Sequence, residues 1–298
     1  MRAPPLLQPG ARVALVAPSG PLRDETDVHR AVEAARSLDW EPVVGSHVLE
    51  RHGYFAGPDA HRLADFNRFS TDDSIDGIWC LRGGYGAMRL LDQLDYHAWV
   101  RRPKTLIGYS DITALHAAIG LRCDLVTYHG PMARVEMTAF SRASFRAAVI
   151  DGTNSCGVAT QGATLRGGRA RGHLTGGNLA LVAAFANTPF APSLDGGILI
   201  LEDVNESVYR IDRMLTQLRL SGALDRLAGI AFGQFTDPPA DAADEHRPLI
   251  ELLQEVADRC SVPCLAGIPL GHIADQWTFP LGAMAVLDAD AKSLIVER

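Results

Sequence analysis

The 298-residue sequence has no surplus of basic residues: 28 Lys and Arg face 35 Asp and Glu, for a formal charge of -7, and no Lys/Arg cluster offsets this balance. Nucleic-acid binders usually carry a basic face, so the charge argues against a nucleic-acid partner. Long apolar runs are missing too. Val13 to Ala17 falls far short of the ~20 residues a membrane span needs. Prolines in Met1-Arg-Ala-Pro-Pro-Leu-Leu-Gln-Pro-Gly10 interrupt the apolar core a signal peptide requires. A soluble cytoplasmic protein with no membrane partner is the expectation. Cysteine is scarce and unpaired: Cys80, Cys123, Cys156, Cys260 and Cys264 contain no C-x-x-C unit for zinc. They read as buried or incidental thiols of a reducing compartment, and neither a metal nor a cofactor is expected.

What is present is ample core material. Hydrophobic residues make up 47% of the chain, enough for one large core or two ordinary ones, and two domains is the expected count. Arg12-Val-Ala-Leu-Val-Ala-Pro18 has the continuous apolar character of a buried parallel strand, and Asp24 to Leu38 carries apolar residues at helical spacing. Further strands are expected at Pro42 to Val44 and Ile75 to Leu81, with helices between, and Asp124 to Met132 reads as another strand leading into a loop. This alternation predicts a mostly parallel sheet whose working loops lie at the carboxyl ends of its strands. Asp151 to Gly172, rich in glycine and poor in large apolar residues, reads as a crossover between domains, giving a first domain of 1–150 and a second of 173–298. In the second half, Gly196 to Asp203 reads as a strand ending in carboxylates, Val208 to Leu220 and Leu249 to Cys260 as helices, and Ala285 to Val296 as a hairpin. Asp237 to Pro248 reads as an acidic, proline-containing surface loop.

The stretch Lys104 to Ile119 reads as strand, sharp turn and helix, with Ser110 at the hinge. At such a turn a serine hydroxyl stands clear of the sheet edge, and the Asp111 amide opens a helix whose first N–H groups lack partners. Ser110 is then either a nucleophile or an ordinary helix cap. The elbow pattern G-x-S-x-G is incomplete, since Ile112 stands where the second glycine belongs. On the next strand end, Arg82-Gly-Gly-Tyr-Gly86 can bring backbone amides close to an anion, yet it lacks both the Walker lysine and the dinucleotide spacing. The alternative is a strand-to-helix turn with no ligand. The Gly83 or Gly84 amide together with that of Asp111 would supply the two converging donors of an oxyanion hole. Candidate bases are His272, held in a loop among glycines and apolar residues, and His129; His116 lies about 240° around the helix from Ser110. Glu202 ends a buried run, either as a desolvated carboxylate or as the start of a solvated loop. Arg210 and Arg213 lie on the helix Val208 to Leu220, where such charges commonly form a solvated face.

Together several segments resemble the LD-carboxypeptidases of serine peptidase family S66: Val16-Ala-Pro-Ser-Gly20, Arg82-Gly-Gly-Tyr-Gly86, Gly108-Tyr-Ser-Asp111, His129-Gly-Pro-Met132, Gly176-Gly-Asn-Leu179, Leu201-Glu-Asp-Val-Asn-Glu206 with Arg213-Met-Leu-Thr-Gln-Leu218, and Leu270-Gly-His272 with Pro280-Leu-Gly282. They occur in the family's order over nearly the whole chain. The resemblance implies a flavodoxin-like, parallel-sheet N-terminal domain and a smaller mixed α/β, swivelling-barrel-like C-terminal domain. It places the nucleophile on Ser110, the carboxylate on Glu202 and the base on His272, with oxyanion donors on Asp111 and on Gly83 or Gly84. The implied activity is release of terminal D-alanine from murein tetrapeptides in peptidoglycan recycling, by a cytoplasmic homodimer. A carboxypeptidase must also recognise a free carboxylate, for which Arg82, Arg210 or Arg213 are candidates. Two other readings stay open. One is a microcin-immunity-like peptidase acting on a peptidyl-nucleotide amide, for which the stretch after Met132 carries few aromatics. The other is a non-catalytic anion-binding module, in which Ser110, Glu202 and His272 need not converge.

Overall fold

A computed structural model of the chain describes residues 1–238 and 247–297. Most of the acidic stretch Asp237 to Pro248 therefore lies outside the described residues. The first sheet starts with Arg12–Val16 (β1), Glu41–Val44 (β2), Gly77–Cys80 (β3), Thr105–Gly108 (β4) and Thr127–His129 (β5). These five lie in the order β5-β4-β3-β1-β2, and every pair is parallel. Alternate residues of β1 serve opposite faces, as a strand's two-residue period requires. Ala14 and Val16 join a core with Phe66, Phe69, Trp99 and Ile119. Val13 and Leu15 join another with Ala31, Ala35, Trp79 and Phe145. With both faces covered, the uninterrupted apolar sequence of β1 is explained.

The second sheet contains Ala163–Arg166 (β6), Arg169–Asn178 (β7), Ile198–Val204 (β8), Gly229–Thr236 (β9) and Cys264–Ala266 (β10). The crossover stretch 151–172 thus contains β6 and the start of β7. The chain then returns to the first sheet: Phe279–Leu281 (β11) pairs antiparallel with β5, setting Phe279 opposite His129. The first sheet consequently has six strands and one antiparallel edge, and is mostly parallel as expected. Pro280 is tolerated there because an edge strand leaves one row of N–H positions unpaired. Met284–Asp288 (β12) and Ser293–Val296 (β13) form the closing hairpin, completing a second sheet in the order β13-β12-β7-β8-β9-β10-β6. Strands β7 to β10 pair in parallel and the outer pairs are antiparallel, so this half is mixed α/β. The loop between β10 and β11 carries His272 back toward the first sheet. No helix among the described residues is long and apolar enough to cross a membrane.

Candidate active site

The chain leaves β4 at Gly108, passes through extended Tyr109, and turns at Ser110 into a short 3-10 segment, Ser110–Ile112, that leads into the helix Thr113–Cys123. Ser110 has φ of 60°, in the left-handed region that a side-chain-bearing residue enters at a cost of ~1–3 kcal/mol. This strain is what lifts its hydroxyl off the sheet edge. Gly108 makes the turn possible, because a Cβ there would meet Ile112 at 3.0 Å. The capping alternative for Ser110 does not hold, since the 3-10 segment has no side-chain cap and the Ser110 hydroxyl faces an imidazole instead.

That imidazole is His272. Its Nε2 lies 3.2 Å from Ser110 Oγ, and its Nδ1 lies 2.9 Å from Glu202 Oε2. Glu202, on β8, is fully buried, whereas the His272 side chain is 21% exposed. The solvated-loop reading of this strand end fails at Asp203 as well. Asp203 is buried, accepts hydrogen bonds from Asn178 Nδ2 at 2.8 Å and the Ala180 amide at 2.9 Å, and has its pKa pushed up to about 6 by burial. The glycine before His272 is required by close approach: Gly271 has φ of 124°, and a Cβ there would meet the Gln234 carbonyl at 3.0 Å and Glu202 Cβ at 3.3 Å. Ser110, Glu202 and His272 come from opposite halves of the chain and meet in one line of contacts. The non-catalytic reading does not call for this convergence.

The rival histidines occupy different ground. His116 Nε2 donates to the Gly108 carbonyl at 2.8 Å, which fastens the helix to the end of β4, and burial depresses its pKa to about 4. His129 is completely buried, and neither ring nitrogen has a hydrogen-bond partner among the described residues. Desolvation holds it well below its ordinary pKa, with the charges of His116 and His272 acting in the same direction. It makes no hydrogen bond to Ser110.

Beside the serine, Gly83 is buried, and a Cβ on it would lie 3.0 Å from Ser110 Oγ and 3.5 Å from the Asp111 amide nitrogen. Gly84 adopts φ of 114° and packs on Gly20. Neither the Gly83 nor the Gly84 amide donates a hydrogen bond to any described residue. The Asp111 side chain faces inward, where its Oδ2 accepts from the Ala87 amide at 2.8 Å and burial raises its pKa. Arg82 is half-buried and donates to the Pro21 carbonyl. Arg210 and Arg213 are exposed and gather around the Tyr209 ring, 5.9 and 5.6 Å from its centre. Sequence reasoning missed Tyr109, whose ring centre lies 4.9 Å from that of His272. Its place next to Ser110 was the available signal. Among the described residues, His47, Glu50 and His61 group their possible ligand atoms within 4.8 Å, a cluster the spacing of the sequence does not reveal.

Models of the LD-carboxypeptidase N-terminal and C-terminal domains match residues 13–130 and 171–287. A putative carboxypeptidase of Streptomyces coelicolor is 44% identical, over 99% of this chain and 96% of its own length. The crystal structure of muramoyltetrapeptide carboxypeptidase from Oxalobacter formigenes superposes with a TM-score of 0.82 at 30% identity, covering 96% of this chain and 98% of that one. The microcin C7 self-immunity protein MccF in its wild-type apo state superposes with a TM-score of 0.88 at 25% identity, covering 99% of both chains. The two-domain α/β fold and the serine-type carboxypeptidase class follow from these likenesses, and the chain belongs to the LD-carboxypeptidase family.

Proposed function

We propose that Ser110, His272 and Glu202 form a catalytic triad with which this protein hydrolyses the L,D-amide bond of murein tetrapeptides and releases terminal D-alanine. The observation that carries the reading is the unbroken line of contacts from Ser110 Oγ through the His272 ring to buried Glu202. A serine hydroxyl is a weak nucleophile until a base takes its proton. Glu202 accepts from His272 Nδ1, which leaves Nε2 free to accept the Ser110 proton. Ser110 Oγ attacks the carbonyl carbon, and His272 passes the proton to the departing amine as the C–N bond breaks. Water, deprotonated by the same imidazole, then cleaves the acyl-enzyme and restores Ser110. The oxyanion rests on the Asp111 amide and one amide of the glycine loop, with Gly83 and Gly84 both candidates. No step calls on a cofactor.

In this reading residues 1–150 supply the nucleophile, 151–172 link the halves, and 173–298 supply the acid–base pair. Action on murein fragments in the cytoplasm, as a homodimer, belongs to the same proposal, and sedimentation would test the dimer. The decisive experiment is a panel scored for product: an L,D-tetrapeptide, its L,L counterpart and an aminoacyl-nucleotide amide. D-alanine release from the first alone, lost by about 10⁴- to 10⁶-fold in a folded Ser110→Ala variant, is the expected outcome. Preferential cleavage of the nucleotide amide would establish the microcin-immunity-like alternative. That alternative draws some support from exposed Tyr54 and Tyr85, whose ring centres lie 5.9 Å apart close to the glycine loop.

A further inference from the structure

At the carboxyl edge of the first sheet, successive strand ends deliver charged residues that the triad does not use. Asp27 follows β1, Arg82 follows β3 and Arg134 follows β5, while Ser110 follows β4 between the last two. The Ala133 amide donates to the Cys80 carbonyl at 3.0 Å, so the segment bearing Arg134 is fastened to the end of β3, just before Arg82. Arg82 is in turn part of the wall beside the nucleophile. Its Nε lies 3.6 Å from where a Cβ on Gly20 would stand, the Gly20 amide donates to the Gly83 carbonyl at 3.0 Å, and Gly83 abuts Ser110.

Arg134 is paired with a buried carboxylate, that of Asp27. Asp27 is completely enclosed in the fold, receives the Arg23 amide at 3.0 Å, and lies 3.3 Å from Arg30 and 3.6 Å from Arg134. Arg134 makes only that long contact, and its Nε is buried with no hydrogen-bond partner among the described residues. The positive charges of Arg23, Arg51 and Arg134 all act on the Arg82 guanidinium, and Asp27 opposes them. The Arg134 charge also reaches the Tyr109 hydroxyl, one residue before the nucleophile. Arg82 and Arg134 thus bring positive charge beside Gly83 and Tyr109, with Asp27 as the opposing charge.

We propose that Arg134, with Arg82 beside it, binds the free terminal carboxylate of the substrate, and that Asp27 is the positioning residue that aims Arg134. This rests on the carboxypeptidase reading above. A planar guanidinium offers a carboxylate two parallel N–H donors, which suits recognition of a chain end.

The test compares an L,D-tetrapeptide ending in D-alanine with the same peptide ending in D-alanine amide. Wild-type enzyme is expected to prefer the acid. In Arg134→Gln the KM for the acid should rise about tenfold to a hundredfold, with kcat nearly kept and the amide scarcely affected, so that the preference collapses. Arg134→Lys, which keeps the charge but loses the fork, should recover part of the preference and serves as the folding control. An equal loss on acid and amide would make Arg134 merely structural and overturn the proposal. So would an Arg134→Gln enzyme that keeps the wild-type preference, or a wild type indifferent to the terminal charge. In each of those results D-alanine is still released and the carboxypeptidase reading stands. A wild type that cleaves neither peptide removes that reading and this proposal with it.

Discussion

Three histidines surround the Ser110 turn, and the contrast between His272 and the pair His116 and His129 shows what makes one imidazole serviceable as a base. His116 and His129 lie in the interior of the first half, under the turn, where desolvation keeps both neutral. His272 comes from the second half on a loop, retains some exposure, and has a carboxylate on one nitrogen and the serine on the other. The interior pair has been given up to packing: one ring ties a helix to a strand, and the other packs beside Phe279 and Tyr109. A catalytic base must take up and release protons, which requires access and an anchored tautomer together. Only the ring delivered from across the molecule has both.

The sharpest way to break this contrast is to exchange the two fates. His272→Ala should reduce D-alanine release by several orders of magnitude, whereas His129→Ala should cost activity far less and act mainly through the cavity it leaves. Steady-state rates on folded variants decide it. The reverse ranking would move the base to His129. A smaller effect is expected at Gly271. An alanine there would have to hold a φ suited to glycine and crowd both Gln234 and Glu202. A displacement of about 1 Å at His272 should lower kcat about a hundredfold, with binding of a product peptide little changed. An unchanged kcat for Gly271→Ala would show that the close approach of this loop is not what aims the imidazole.

The sequence made the local parts of this site readable and the long-range parts hard to see. Ser110 could be found because Thr105 to Ile107 and the helical spacing of Ile112, Leu115 and Ile119 frame it within one short segment. Glu202 and His272 could be singled out because an abrupt end to an apolar run and a histidine among glycines are local signals. Their meeting was implied by the family resemblance and not by these local signals, because it depends on a loop that returns from the second sheet to the first. Strand β11 shows why: Phe279–Leu281 is only 3 residues long and contains a proline, too little for any periodicity to register. Strand β6 went unnoticed for a related reason, since Ala163–Arg166 is mostly exposed and lacks the apolar alternation of a core strand. Arg134 is a single arginine in a turn. The role proposed for it depends on Asp27 and Arg82, which are distant in sequence and come near it only in the fold.

The interior histidines also predict a pH signature that the base does not share. In the folded protein His116 titrates at about 4, while in the unfolded chain it titrates near 6.5, so in between the unfolded state binds more protons. Stability from this residue is therefore complete above about pH 6.5 and is lost as pH falls toward 4, by up to about 3 kcal/mol. His129 acts in the same direction. Asp203 acts oppositely: its raised pKa means that the folded state takes up a proton first as pH falls through about 6, which favours folding. Total stability thus mixes both signs, and the histidine part must be read as a difference. Urea melts of wild type and His116→Gln, which keeps a donor for the Gly108 carbonyl, should show the variant relatively less stable at pH 7 and gaining on wild type as pH approaches 4. If the gap between the two stays constant over that range, His116 is not held neutral by burial, and the division between an interior pair and a working base loses one of its supports.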